Sequence, residues 1–79
     1  MELKDTIELM TSSDYKDRFK AEYYQLVIRY NKLKNMVDNW INLDFKPTCS
    51  KTLYEIQLRY MYMYLEALKR RAEKEKIEL

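Results

Sequence analysis

The side chains able to do chemistry in this sequence are tyrosine, arginine, lysine and carboxylates, and little else. There is no histidine, so the usual general base near neutral pH is missing. Cys49 is the single cysteine. A thiol near a helix N-terminus can be activated, but no base stands beside this one, and it reads as a small buried or capping residue. One cysteine without histidine falls short of the roughly four N or S ligands of a zinc site, so no metal is expected. Glycine is absent, which excludes a Gly-rich phosphate loop. Glu73 and Glu75 sit in a charge run and read as a solvated face. These absences leave no acid–base pair, nucleophile or cofactor motif, and the expectation is a binding protein, not an enzyme.

Tyrosine and arginine carry what signal remains. There are eight tyrosines in 79 residues, each offering a flat apolar face and a polar tip. Tyr23, Tyr30, Tyr54 and Tyr60 fall on apolar seams and read as packing residues. Tyr15 differs, because it opens a helix beside Asp14, Lys16 and Arg18. Arg18, Glu22, Gln25, Arg29 and Lys32 then step by 4, 3, 4 and 3, which places all five on one helix face. Such a stripe is either a solvated face with opposite charges softening each other or a ligand site. In the second case an aromatic ring stacks on a base while arginine and lysine hold phosphates.

The elements that position these residues are helices. A chain without glycine has few ways to make tight turns, and there is one proline, Pro47. Leu3, Ile7 and Met10 share a face and predict a short helix over about residues 3–10, too short to stand alone. Thr11-Ser12-Ser13 breaks it and offers caps for the next helix. Phe19, Tyr23, Leu26, Tyr30, Leu33, Val37 and Trp40 alternate steps of 4 and 3, a heptad seam that predicts a long helix over about residues 14–41. Pro47 ends the connection, and Thr48 or Ser50 can cap a third helix over about residues 51–76. Tyr54, Leu58, Met61, Leu65, Leu68 and Ala72 form its seam. The fold class is therefore all-α, one domain over residues 1–79, with a short helix and two long antiparallel ones.

That hairpin leaves apolar surface over. Ile56, Tyr60, Met63 and Ala67 make a second stripe beside the first, and Trp40, Tyr24 and the cluster from Tyr60 to Tyr64 add to it. Patches of that kind mark an interaction surface, and self-association into a homo-oligomeric helical bundle is the simplest way to cover them.

The residues also resemble a family. Tyr15-x2-Arg18-Phe19-x2-Glu22-Tyr23-x-Gln25-Leu26-x2-Arg29-x2-Lys32-Leu33 looks like the first long helix of the small phage proteins that sequester cyclic nucleotides, the anti-CBASS sponges and their crAss-like phage relatives. Leu58-x2-Met61-x2-Tyr64-Leu65-x2-Leu68-x2-Arg71 resembles their second long helix. The resemblance implies a homo-oligomer, a hexamer in the best-known members. It implies a site between protomers in which Tyr15 matches an aromatic that stacks on a base and Arg29 most nearly matches a basic residue, from the partner chain, that meets the phosphates. Arg71 matches the arginine of a second family site. Arg18 and Lys32 complete the candidate ligand-binding set. The implied partner is a nucleotide second messenger of a bacterial defence system, such as a cyclic di- or trinucleotide, held without any bond being made or broken.

Two other functions fit the composition. A nucleic-acid-binding module would use Arg18, Arg29, Lys32 and the run Lys69-Arg70-Arg71 to track a backbone, although a net charge of +2 is low for it. A protein-interaction adaptor would dock the Met- and Tyr-rich helix on another protein. No apolar run approaches the ~20 residues that span a bilayer, and Met1-Glu2-Leu3-Lys4-Asp5 lacks the pattern of a secretory signal, so the expected location is the cytoplasm.

Overall fold

The computed structural model describes residues 1–79 and contains helices and connections with no strand. A 3-10 turn at Leu3–Thr6 runs directly into α1, Ile7–Met10. The long helices are α2, Tyr15–Asp38, and α3, Lys51–Glu75. A second 3-10 turn, Trp40–Asn42, follows α2. No helix is long and apolar enough to cross a membrane.

Local chemistry sets each boundary. Asp14 is the N-cap of α2, and its carboxylate accepts from the Lys16 backbone N–H at 3.0 Å. The serine expected to cap instead supports the cap from outside. Ser12 Oγ accepts from the Asp14 N–H at 3.1 Å and donates to Asp17 Oδ2 at 2.9 Å. Helix α2 stops at Asp38, three residues short of the expected 41. There the Asn39 side-chain amide donates to the Asn35 carbonyl at 2.7 Å, beside the Asn39 backbone N–H at 3.2 Å, so the residue after the helix grips its last turn twice. Between the two candidates for the α3 cap, the structure uses Ser50, whose Oγ accepts from the Leu53 N–H at 3.2 Å. Cys49 is neither buried nor a cap. It is exposed one position outside the helix entrance.

The far end of α3 closes without glycine. Lys76 takes the left-handed conformation at φ 56° and ψ 46°, and the Ile77 N–H reaches back to the Ala72 carbonyl at 2.9 Å. That backbone reversal is a Schellman-type stop, in which the residue after the left-handed one folds onto the last turn. Ile77 follows it inward and is 6% exposed. The residue just beyond the charge run of Glu73 and Glu75 is thus a core residue.

Phe19, Leu68, Ala72 and Ile77 form the core between α2 and α3, with Tyr23 and Leu26 packed on it. Leu65 and Val37 extend the buried seam, and its other members are half-buried. Helix α2 is also covered on its opposite side. Ala21 lies about 200° round the helix from Phe19 and is 1% exposed. There the N-terminal segment docks, through Thr6 Oγ1, which accepts from Gln25 Nε2 at 2.9 Å and donates to the Leu3 carbonyl at 2.7 Å. The docking face is Leu3, Thr6 and Leu9, not Leu3, Ile7 and Met10, for Ile7 and Met10 are exposed. The 3-10 start repeats every three residues and rotates the inward line accordingly.

Only eight of the 79 residues are buried, a small core for a chain of this length. The second stripe of α3 is open to solvent, with Ile56 41%, Tyr60 65% and Met63 59% exposed. Trp40 and Tyr24, expected to share that exposure, are half-buried instead. Trp40 packs on Tyr54 at 6.0 Å between ring centroids, and Tyr24 sets its ring edge-on to Tyr23 at 5.4 Å.

Leu68 is 1% exposed at the centre of the core. Leu68→Ala is expected to cost about 2–5 kcal/mol, read as a lowered denaturation midpoint. A loss under about 0.5 kcal/mol, the scale of a surface change, would show that this cluster does not hold the hairpin.

Candidate functional site

The candidate residues occupy the face of α2 that runs between its two partners. Glu22 points toward α3 and accepts a hydrogen bond from the Tyr64 hydroxyl. Gln25, one turn on, is tied to Thr6 of the N-terminal segment. The polar stripe therefore runs along α2 as a shallow valley, bounded by α3 at Glu22 and by the N-terminal segment at Gln25, and open to solvent at Arg18, Arg29 and Lys32.

Tyr15 stands at the head of this valley and does more than open the helix. Its hydroxyl donates to Glu75 Oε1 at 2.7 Å and accepts from Arg71 Nη2 at 2.8 Å. Arg71 Nε also donates to Glu75 Oε2 at 3.3 Å. The Arg71 guanidinium lies over the Phe19 ring, 4.9 Å from its centroid, an attraction between a cation and the negative face of the ring. Two positions matched to different sites in the sequence, Tyr15 and Arg71, are thus direct partners at the open end of the hairpin. Tyr15 remains 46% exposed.

Arg18 is committed differently. Its Nη1 donates to the Ser12 carbonyl at 2.8 Å and tethers the loop before α2. Arg29 and Lys32 are exposed and make no ion pair or side-chain hydrogen bond within the chain, so both cations are free to meet a ligand. Tyr15 and Arg29 do not converge in one chain. They are separated by about 21 Å along the axis of α2 at 1.5 Å per residue, too far for one small ligand to touch both within a single chain.

Glu75 and Phe19 are the functional neighbours that reading the residues missed. Arg71 and Glu75 are spaced i, i+4, a visible signal for an ion pair. Tyr15 joining them was hidden, because its partner lies 60 residues away and appears only when the hairpin closes.

A family profile described as Sequestin matches residues 13–74. The chain belongs to the Sequestin family. The match spans both long helices and takes in Tyr15, Arg18, Arg29, Lys32 and Arg71, while the N-terminal segment and Glu75 fall outside it. The family assignment agrees with the resemblance carried by the same stretches of sequence. No curated protein and no solved structure matches the chain.

The contacts at the head of the valley leave a titration signature. The hydrogen bond to Glu75, then burial and the charge of Glu75, push the Tyr15 phenol above its ordinary value of 10.0, against the pull of Arg71. A pKa raised on folding means that folding favours the protonated phenol, so the contact stabilises fully below pH 10 and is lost as pH climbs through the raised value. Glu75→Gln is expected to bring one phenolate transition down toward 10.0 in an ultraviolet titration. An unchanged titration would show that Glu75 does not hold Tyr15.

Proposed function

We propose that this protein binds and sequesters a nucleotide second messenger of a bacterial defence system, a cyclic oligonucleotide or related signal, in clefts between copies of the chain. The observation that carries the reading is the α2 face of this Sequestin-family chain, with an exposed aromatic at its head and two unpaired cations further along. The Tyr15 ring supplies a stacking surface for a base, and Arg29 and Lys32 of a neighbouring copy supply charge-assisted hydrogen bonds to phosphates. Arg71 serves a second phosphate contact at the open end of the hairpin. No bond is made or broken, and the protein acts by holding its ligand away from the effector that would respond to it.

The oligomer follows from the exposed stripe of α3. Ile56, Tyr60 and Met63 face solvent in one chain, and a second copy would cover them. A hexamer is the assembly that the family resemblance implies. The protein acts in the cytoplasm, where a diffusible signal would reach it.

Competing with an effector requires sub-micromolar binding, more than ~8 kcal/mol. Calorimetry with cyclic dinucleotides, cyclic trinucleotides and ADP-ribose-type signals is expected to find a ligand in that range, and a chain that binds none of them would end this reading. Tyr15→Ala and Arg29→Ala are each expected to weaken that binding by at least about tenfold, or ~1.4 kcal/mol, with the sedimentation coefficient unchanged. Met63→Glu, which puts a charge in the exposed stripe, is expected to lower the sedimentation coefficient to that of a smaller species. A wild-type chain that sediments as a folded monomer at micromolar concentration would remove the shared cleft.

A further inference from the structure

The guanidinium of Arg71 is already engaged by an anion from its own chain. Its Nε meets Glu75 Oε2 at 3.3 Å, and its Nη2 meets the Tyr15 hydroxyl at 2.8 Å, which passes its own proton toward Glu75 Oε1 at 2.7 Å. Both carboxylate oxygens of Glu75 are thus held by one edge of the guanidinium, one directly and one through the phenol. Two neighbouring donors on a planar edge are the arrangement by which arginine grips a phosphate. Phe19 covers one face of the guanidinium and fixes it in place. The site is nonetheless within reach of solvent, since the Arg71 and Glu75 side chains are 49% and 35% exposed.

Glu75 is an odd residue to find there on stability grounds. It is the last residue of α3, where the helix dipole disfavours negative charge. Its carboxylate is held by Arg71 and Tyr15 against that unfavourable field.

We propose that Glu75 is an internal competitor for the Arg71 edge, a stand-in anion that a ligand phosphate must displace, and that it sets how much negative charge a ligand must bring. The inference rests on the phosphate-binding role given to Arg71 above and adds the residue that governs it. A carboxylate or a weak monoanion offers Arg71 no more than Glu75 already does and fails to displace it. A phosphate group with more charge and more acceptor oxygens replaces both the direct and the relayed contact. Displacement also frees the Tyr15 hydroxyl, so occupancy at Arg71 is felt at the aromatic ring that heads the valley.

The test uses the full chain and inorganic pyrophosphate, a polyanion with no base to stack, measured by calorimetry at low salt. Glu75→Gln keeps the side-chain shape and an acceptor oxygen for Tyr15 while removing the charge. It is expected to bind pyrophosphate about tenfold more tightly than the wild type. Glu73→Gln removes the same charge from the same helical turn, where Glu73 is exposed and makes no side-chain hydrogen bond or ion pair, and is expected to stay within about twofold of wild type, well under the tenfold that ~1.4 kcal/mol represents. Adding Arg71→Met to Glu75→Gln is expected to abolish the gain. Circular dichroism confirms that each variant is folded. No gain in Glu75→Gln, an equal gain in Glu73→Gln, or a gain that survives Arg71→Met would each overturn the proposal. The wild-type nucleotide panel reads the sequestration reading separately. Nucleotide binding with no pyrophosphate gain removes the competitor and keeps the sequestration, and a gain without nucleotide binding does the reverse.

Discussion

Phe19, Leu68, Ala72 and Ile77 pack into one cluster where α2 and α3 cross near the ends of the chain, and the other features of the molecule depend on that contact. Two helices of this length can bury one stripe each against the other. Burial of the seam orients α2, and α2 in turn carries the polar valley on an adjacent face. It also brings the start of α2 against the end of α3, which is where Tyr15, Arg71 and Glu75 meet. Without the seam those three side chains have no reason to approach.

The same geometry explains what remains exposed. Each α-helix presents side chains all round its axis, so a hairpin covers part of the circumference and leaves the rest to other partners. The N-terminal segment takes one further face of α2, around Ala21 and Gln25. Helix α3 has no such third element, and its Ile56, Tyr60 and Met63 stripe stays open. An arrangement of this kind leaves polar side chains on the open face of α2 and apolar ones on the open face of α3.

Polar groups are placed with comparable economy. Thr6 is buried at 1% exposure, yet its hydroxyl both accepts and donates a hydrogen bond. No buried side-chain polar atom is left without a partner, as expected where an unsatisfied group would be costly. The unpaired cations, Arg29 and Lys32, are kept on the surface. There their charge costs little to hold.

The two heptad seams were legible in the residues, because the 3.6-residue helical repeat imposes its spacing on any sequence that buries one stripe. The long helices and the exposed second stripe of α3 followed from that spacing, and the antiparallel pairing followed from the short connection between them. The phase of the N-terminal segment did not, since a 3-10 start and an α start present different residues at the same positions. Nor did the burial of Ile77, which depends on a left-handed turn at Lys76 that nothing in a glycine-free tail announces. Tyr15 and Arg71 were identifiable one at a time as candidate ligand residues. Their shared contact with Glu75 joins positions from opposite ends of the chain. Sequence alone determined which residues lie on which helical face, because that is a matter of periodicity along one strand of chain. Tertiary structure decided which faces meet, because side chains distant in sequence become partners only when packing brings them within hydrogen-bonding distance.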